Sequence, residues 1–143
     1  MHTIVVTGLL SAMTLFNAQM ALVFNQEESV DSKYLEPITF ETYVRGYFEE
    51  YPVLAEIAKC ESGFTHYLKN GSVLRGKANS LDIGVMQINE RYHNERAKVL
   101  GMNIYNFEGN LSYAKYLYEK EGVKPWGASS KCWRASESII AKK

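Results

Sequence analysis

Residues 52–89 decide the fold: PVLAEIAKCESGF from Pro52, THYLKNGSVLRG from Thr65, then KANSLDIGVMQIN ending at Asn89. In the first piece Leu54, Ile57 and Ala58 recur at the spacing of one helical face, and the next position on that face is Glu61. A carboxylate that continues an apolar stripe is partly desolvated. Desolvation raises its pKa toward the range where it can give and take a proton near neutral pH. The face can also be drawn through Val53, Ile57 and Cys60, which would make Glu61 an ordinary solvated residue at a helix end. Pro52 has no amide donor to lose and suits a first helical turn, and Gly63 suits a stop, so a helix is predicted from 52 to about Ser62.

Next, His66-Tyr67-Leu68-Lys69 and Ser72-Val73-Leu74-Arg75 flank Asn70-Gly71, the dipeptide of a type I′ hairpin turn, which predicts a small two-stranded element. In Ser80–Asn89 the apolar alternation is imperfect, and Gly84 marks a place where backbone must come close to something else. Upstream, Phe40, Tyr43, Val44, Tyr47 and Phe48 make a core stripe on a helix with Thr39 as N-cap. Downstream, Asn89 caps a helix running to about Leu100 before Gly101. Asn106 caps another, whose buried face is Leu111, Ala114, Leu117 and Tyr118, ending at Gly122. Tyr113 and Tyr118 are read as core. Beyond Arg134 the tail carries no usable pattern. The fold class is α+β, mainly α-helical with a small β-hairpin.

The 143 residues allow one domain, expected to be a monomer. The 16 basic residues equal the 16 acidic ones, and the basic block is confined to Lys142-Lys143, so nothing here favours a nucleic-acid partner. The first charged side chain is Glu27, after the apolar run Thr3–Phe24. Residues 1–24 are read as a signal peptide, with Ala18 and Ala21 at possible cleavage positions, although no Lys or Arg precedes the run. The other reading is a retained membrane anchor, which would make the membrane a partner. Either puts the remainder outside the cytoplasm, in the periplasm, the cell envelope or the medium. Residues 25–38 form a polar linker, and 39–143 the domain. The even count of two cysteines, Cys60 and Cys132, in a chain that reads as exported favours one disulfide over two buried thiols. His66 and His93 are isolated, so no metal site is predicted.

The run IAKCESGF, a hairpin-like interval, GVMQIN and then GNLSYAKYLYEKEG resembles the soluble lytic transglycosylases, lysozyme-like enzymes that cut peptidoglycan. The resemblance covers about residues 40–133 and rests on Glu61-Ser62, Gly84-Val85-Met86-Gln87, Asn110-Leu111 and Tyr116-Leu117 in that order. It implies a lysozyme-like domain in which the β element walls a cleft and Glu61 is catalytic. Substrate binding would fall to Ser62, Gln87, Asn89 and Tyr116. Gln87 would meet an N-acetyl or hydroxyl group, Met86 would pack beneath, and Tyr116 would approach the Glu61 carboxylate. No cofactor is implied, and the partner is the peptidoglycan glycan strand. This chain departs from the family in two places. Leu81-Asp82 stands where Gly-Ala is usual, and VKPWGASSKCW replaces an ending that carries Ala-Tyr-Asn. Trp126 or Trp133 could supply a stacking face for a sugar instead, with packing over the disulfide the favoured role for Trp133.

The implied reaction cleaves the β-1,4 bond between N-acetylmuramic acid and N-acetylglucosamine, with Glu61 as single acid and base, and leaves a 1,6-anhydro end. A hydrolytic lysozyme acting on the same bond is the nearest alternative, and would need Asp82, Glu90 or Glu108 as a second carboxylate. Asn89 stands where the block of a goose-type lysozyme carries Asp, which favours the transglycosylase. A silent glycan-binding module is the alternative of another class; loss of the Glu would mark it, and Glu61 is present.

Overall fold

The N-terminal helix of the domain, α1 (Phe40–Tyr47), begins where Thr39 accepts a hydrogen bond from the Thr42 amide at 3.1 Å. The computed structural model describes residues 38–140, with side chains through Ala135. The segment read as signal or anchor, and all of the linker but Ile38, lie outside the described residues. After α1 come α2 (Pro52–Ser62), the short strands β1 (Asp82–Ile83) and β2 (Ile88–Asn89), α3 (Glu90–Val99) and α4 (Phe107–Glu121). A 3₁₀ segment (Lys124–Ser129) leads into α5 (Ser130–Ile140). This is a mixed α+β architecture, mostly helical. No described helix is long and apolar enough to cross a membrane.

The helix ends follow the sequence signals. Pro52 occupies the first turn of α2, and Gly63 closes it in the left-handed conformation, φ 60°. Asn89 accepts from the Arg91 amide at the start of α3, and Asn106 from the Gly109 amide at the start of α4. Helix α2 is central: α1, α5 and the 3₁₀ segment all pack on it. Its Leu54, Ile57 and Ala58 are fully buried, joined by Leu111, Ala114 and Leu117 of α4. The stripe on α1 is split. Val44 and Phe48 are core, but Phe40 and Tyr43 stay exposed, Phe40 against the Phe107 ring and Tyr43 against the Phe107 and Tyr47 rings. Tyr113 is buried as expected, whereas Tyr118 is only half-buried. As far as Ile140 the tail expected to be patternless belongs to α5, whose Trp133 is buried with its indole N–H donating to the Trp126 carbonyl at 3.0 Å.

The expected hairpin forms with a different turn. Of Asn70-Gly71 only Gly71 has positive φ, at 82°, so the turn is not type I′. The Gly71 amide reaches the Leu68 carbonyl and the Leu68 amide the Ser72 carbonyl, the pattern of a three-residue loop closed by a left-handed glycine. Asn70 meanwhile accepts from the Ser72 amide and hydroxyl, which holds its own backbone away from the left-handed region. Bridges Tyr67–Val73 and Arg75–Ile83 then join this loop to the antiparallel pair Asp82–Asn89 and Ile83–Ile88, so the chain meanders through one small β layer.

Between β1 and β2, residues 84–86 are buried without regular structure. The Gly84 amide donates to the Leu74 carbonyl, and the other anchors are side chains distant in sequence. The Val85 amide donates to His66 Nδ1 (3.1 Å) and the Met86 amide to Asn110 Oδ1 (2.9 Å). Asn110 Nδ2 donates to the Ile83 and Ile104 carbonyls, and the Trp126 indole to the Met86 carbonyl at 2.9 Å. Because the Val85 amide can only donate, His66 must be the neutral tautomer protonated on Nε2, which reaches the Tyr105 carbonyl. Burial lowers the His66 pKa, in keeping with that neutral form. Gly84 is the close approach expected: at φ 71°, a Cβ there would overlap the His66 ring and stand 2.9 Å from Asn110 Nδ2.

Cys60 at the end of α2 is bonded to Cys132 in the first turn of α5, 72 residues apart. A disulfide suits an oxidising compartment. Closing a loop of this length is worth about 4 kcal/mol in the chain-entropy model. Chemical denaturation of a Cys60→Ala/Cys132→Ala chain should therefore show a loss of about 2–4 kcal/mol. Gly84→Ala should cost about 2 kcal/mol or more, since it adds both a clash and an unfavourable φ. A Gly84→Ala midpoint equal to that of the unmodified chain would show that the His66–Asn110 contact is not tight.

Candidate active site

Two cavities meet at Glu61. One, of about 250 Å³, is lined by Ile88, Asn89, Tyr92, His93, Leu117 and Trp126 among others; the second, of about 530 Å³, by Ser62, Leu74, Arg75, Gly76, Lys77 and Asn79 among others. Glu61, Asp82, Gln87 and Ala128 line both. A linear ligand could thus run past Glu61 with contacts on either side.

Glu61 is half-buried on the last turn of α2, continuing the Leu54–Ile57–Ala58 face. Its Oε1 accepts a 2.6 Å hydrogen bond from Ser129 Oγ. Burial raises its pKa, the Ser129 hydrogen bond opposes that rise, and the negative charge of Asp82 adds to it. The outcome is a carboxyl held above the ordinary glutamate range, in a cleft, with one oxygen already engaged. Such a group is suited to donate a proton from Oε2.

Ser129 is the residue that sequence reasoning missed. A signal existed: Ser129 lies one helical turn before Cys132, and the disulfide ties Cys132 to the immediate neighbour of Glu61. Residues one turn from Cys132 were therefore bound to fall near the carboxylate.

The expected binding residues divide. Gln87 lines both cavities, its Nε2 donating to the Gly84 carbonyl at 2.7 Å, which leaves its other N–H for a ligand. Its backbone is left-handed at φ 49°, as is Phe64 at 61° just beyond α2. These are the two non-glycine residues with positive φ among those described; Gln87 lines the cleft, where backbone strain is often retained for function, whereas Phe64 is a buried core residue under the Arg45 guanidinium. Gly76 makes room chiefly for the Asn79 carbonyl, which a Cβ there would overlap, and also for Gln87 Oε1, which would stand 2.9 Å from it. Asn89 lines the smaller cavity and spends one N–H on Asp82 Oδ1 at 2.7 Å. Ser62 lines the larger one, but its hydroxyl is used on the backbone, donating to the Ala58 carbonyl and accepting from the Thr65 amide.

Tyr116 is not brought to Glu61. Its hydroxyl accepts from Arg96 Nε and Nη2, both at 3.2 Å, and its ring lies beside Tyr113. The reason is helical phase: on α4 it is Leu117 that lines the cavity, and consecutive helical residues point about 100° apart. The hydrogen bond expected of this tyrosine comes from Ser129 instead. Trp126 lines the smaller cavity as a nearly buried wall.

Of the three possible second carboxylates, Asp82 alone lines the cleft. Its Oδ1 accepts from Asn79 Nδ2 at 3.1 Å and from Asn89 Nδ2. Glu90 is paired with Arg75 at 2.9 Å and accepts from the Tyr105 hydroxyl. Glu108 lines a different, shallow apolar depression beside Phe40. Among the described residues, no three His, Cys, Asp or Glu side chains cluster as metal ligands.

A raised carboxyl pKa fixes a sign. Between the ordinary glutamate value and the raised one, the folded chain holds a proton that the unfolded chain releases, so stability falls as pH rises through that window. Glu61→Gln removes the ionisation while keeping an oxygen for Ser129. The variant should be more stable than the unmodified chain at neutral pH, with the gap closing below about pH 4. Thermal midpoints at the two pH values test this; a gap of the same size at both would mean that burial of the charge is not its cause.

Comparison with protein-family models, curated proteins and solved structures finds no match to the chain.

Proposed function

We propose that the protein is a peptidoglycan lytic transglycosylase of lysozyme-like fold. The observation that carries this reading is the Glu61 carboxyl, whose pKa burial raises and one of whose oxygens Ser129 engages, where the two cavities meet. Glu61 Oε2 gives its proton to the bridging oxygen as the bond from C1 of N-acetylmuramic acid to that oxygen breaks. The carboxylate then takes the proton from the C6 hydroxyl of the same sugar, whose oxygen attacks C1 and closes the 1,6-anhydro ring. The carboxyl ends protonated, as it began, and no water is consumed. Gln87 and Asn89 offer amide groups to the sugar substituents on either side. The order of Glu61-Ser62, the Gly84–Gln87 block and the α4 sequence supports the same family reading.

A second reading has a specific observation in its favour. Asp82 lines both cavities with Glu61, and two amides hold one of its oxygens, which leaves the other to position a water. In that case the protein is a lysozyme cutting the same bond. The two reactions differ by one water in the product.

Mass spectrometry of peptidoglycan fragments released by the protein should find ends lighter by one water than reducing sugars. Reducing ends would instead establish the hydrolase, and no release would remove both readings. Glu61→Gln should lower the rate of release by about 10²–10⁴-fold. Because the acid must be protonated, activity should fall as pH rises through the raised Glu61 pKa. Asp82→Asn removes a charge that raises this pKa, so the alkaline limb should move to lower pH. An unmoved limb would dissociate Asp82 from the acid.

A further inference from the structure

The sulfur bridge beside the acid is open to attack. Cys132 is exposed, and Cys60 is half-buried and lines the larger cavity next to Glu61. Exposed disulfides are the labile, regulatory ones, because an attacking thiolate can reach a sulfur. This bridge also holds the segment that closes the site. One helical turn before Cys132, the Ser129 hydroxyl donates to Glu61 Oε1, and Ala128 beside it lines both cavities. The bridge and that hydrogen bond tie the end of α2 to the 3₁₀ segment and the start of α5.

Opening the bridge leaves other holds on this end of the chain. Trp133 is buried with its indole N–H on the Trp126 carbonyl, and the Trp126 indole N–H reaches the Met86 carbonyl in the core. These contacts keep α5 on the domain. The Ser129 hydroxyl has only the Trp126 carbonyl of its own segment besides Glu61, so its grip on the carboxyl depends on where the bridge places it.

We propose that the Cys60–Cys132 bridge is a thiol-exchange site that latches the acid: a dithiol reductant opens it and lets the Ser129 segment leave Glu61, and reoxidation restores the site. The proposal rests on Glu61 being the acid of the glycan-cleaving reading. A thiolate of the dithiol attacks the Cys132 sulfur, the bond to Cys60 breaks, and Cys60 leaves as a thiolate that takes up a proton. The second thiol of the reductant gives up its proton and attacks the mixed disulfide, and Cys132 is freed and takes that proton. Two electrons pass to the protein and the dithiol ends as a disulfide. A reducing compartment thus holds the chain in its less active form, and an oxidising one turns it on.

The two ways of losing Ser129 have opposite signatures at Glu61. Burial raises the Glu61 pKa most, the Ser129 hydrogen bond opposes the rise, and the Asp82 charge adds to it. Reduction uncovers the carboxyl and removes the hydrogen bond together, which lowers the pKa toward the ordinary value. Ser129→Ala in the oxidised chain removes the hydrogen bond alone, which raises it.

The test follows the Glu61 carboxyl by NMR titration in the full chain, oxidised and after reduction with dithiothreitol, while tryptophan fluorescence at low temperature reports the fold. The midpoint should fall on reduction and rise in the oxidised Ser129→Ala chain. Release of peptidoglycan fragments should drop about tenfold or more on reduction and return with oxidised glutathione. The Cys60→Ser/Cys132→Ser chain should behave as the reduced one and ignore both reagents. A midpoint that does not fall on reduction would overturn the latch, as would a bridge that dithiothreitol opens only in denaturant, or a reduction that unfolds the whole domain. Measurable release at the same rate in both states would overturn the latch and leave the glycan-cleaving reading standing. A midpoint that falls in a chain releasing nothing in either state would uphold the latch on Glu61 and remove that reading.

Discussion

The structure depends on satisfying a buried stretch of irregular backbone. Residues 83–86 run through the interior from one two-residue strand toward the next, where neither helix nor sheet can pair most of their amides and carbonyls. An unpaired buried peptide group costs about 1–3 kcal/mol, so several together would unfold a domain of this size. From α4, Asn110 meets two of these needs and a third at the Ile104 carbonyl; His66 meets one from the β layer and Trp126 one from the 3₁₀ segment. All three side chains are buried and hydrogen-bonded. Gly84 is the geometric counterpart, because only a residue without Cβ lets His66 and Asn110 close on the backbone.

This network also sets the cleft. Fixing 83–86 from behind presents Gln87 and Asp82 to the open side, opposite the end of α2. The disulfide serves the same end from another direction, by holding the start of α5 to α2 beside Glu61. Ser129 follows from that placement and gives Glu61 its hydrogen bond. Burying a carboxyl and setting it near Asp82 oppose folding at neutral pH, and the apolar contacts of α2 offset them. Stability is given up at one residue in a way that favours its acid form.

The local signals in the chain were reliable where the physics is local. Thr39, Asn89 and Asn106 cap helices because a short polar side chain can reach an amide two or three residues on. Pro52 and Gly63 bound α2 for reasons that depend on their own φ alone. The apolar face of α2 could be counted from the spacing, and Glu61 followed as its next member. The Asn70-Gly71 signal gave a turn in the right place but of the wrong type, because Asn70 used its side chain on Ser72. Helix α5 was legible and went unread: Cys132, Trp133, Ala135, Ile139 and Ile140 recur at the spacing of one helical face, with Ser136 set among them.

By itself, then, the sequence determined the helix ends, the central face of α2, the pair of cysteines and the carboxyl that ends that face. Each is governed by residues within a turn or two, or by a covalent bond that two cysteines alone can make. Tertiary structure decided which groups surround the carboxyl. It put Ser129 on Glu61 and turned Tyr116 to Arg96, because helical phase on α4 points Leu117 toward the cleft. It also chose Asp82 over Glu90 and Glu108, which are drawn respectively into a pair with Arg75 and to a separate depression by Phe40. Those choices depend on the relative rotation and depth of elements far apart in the chain, which no local spacing records.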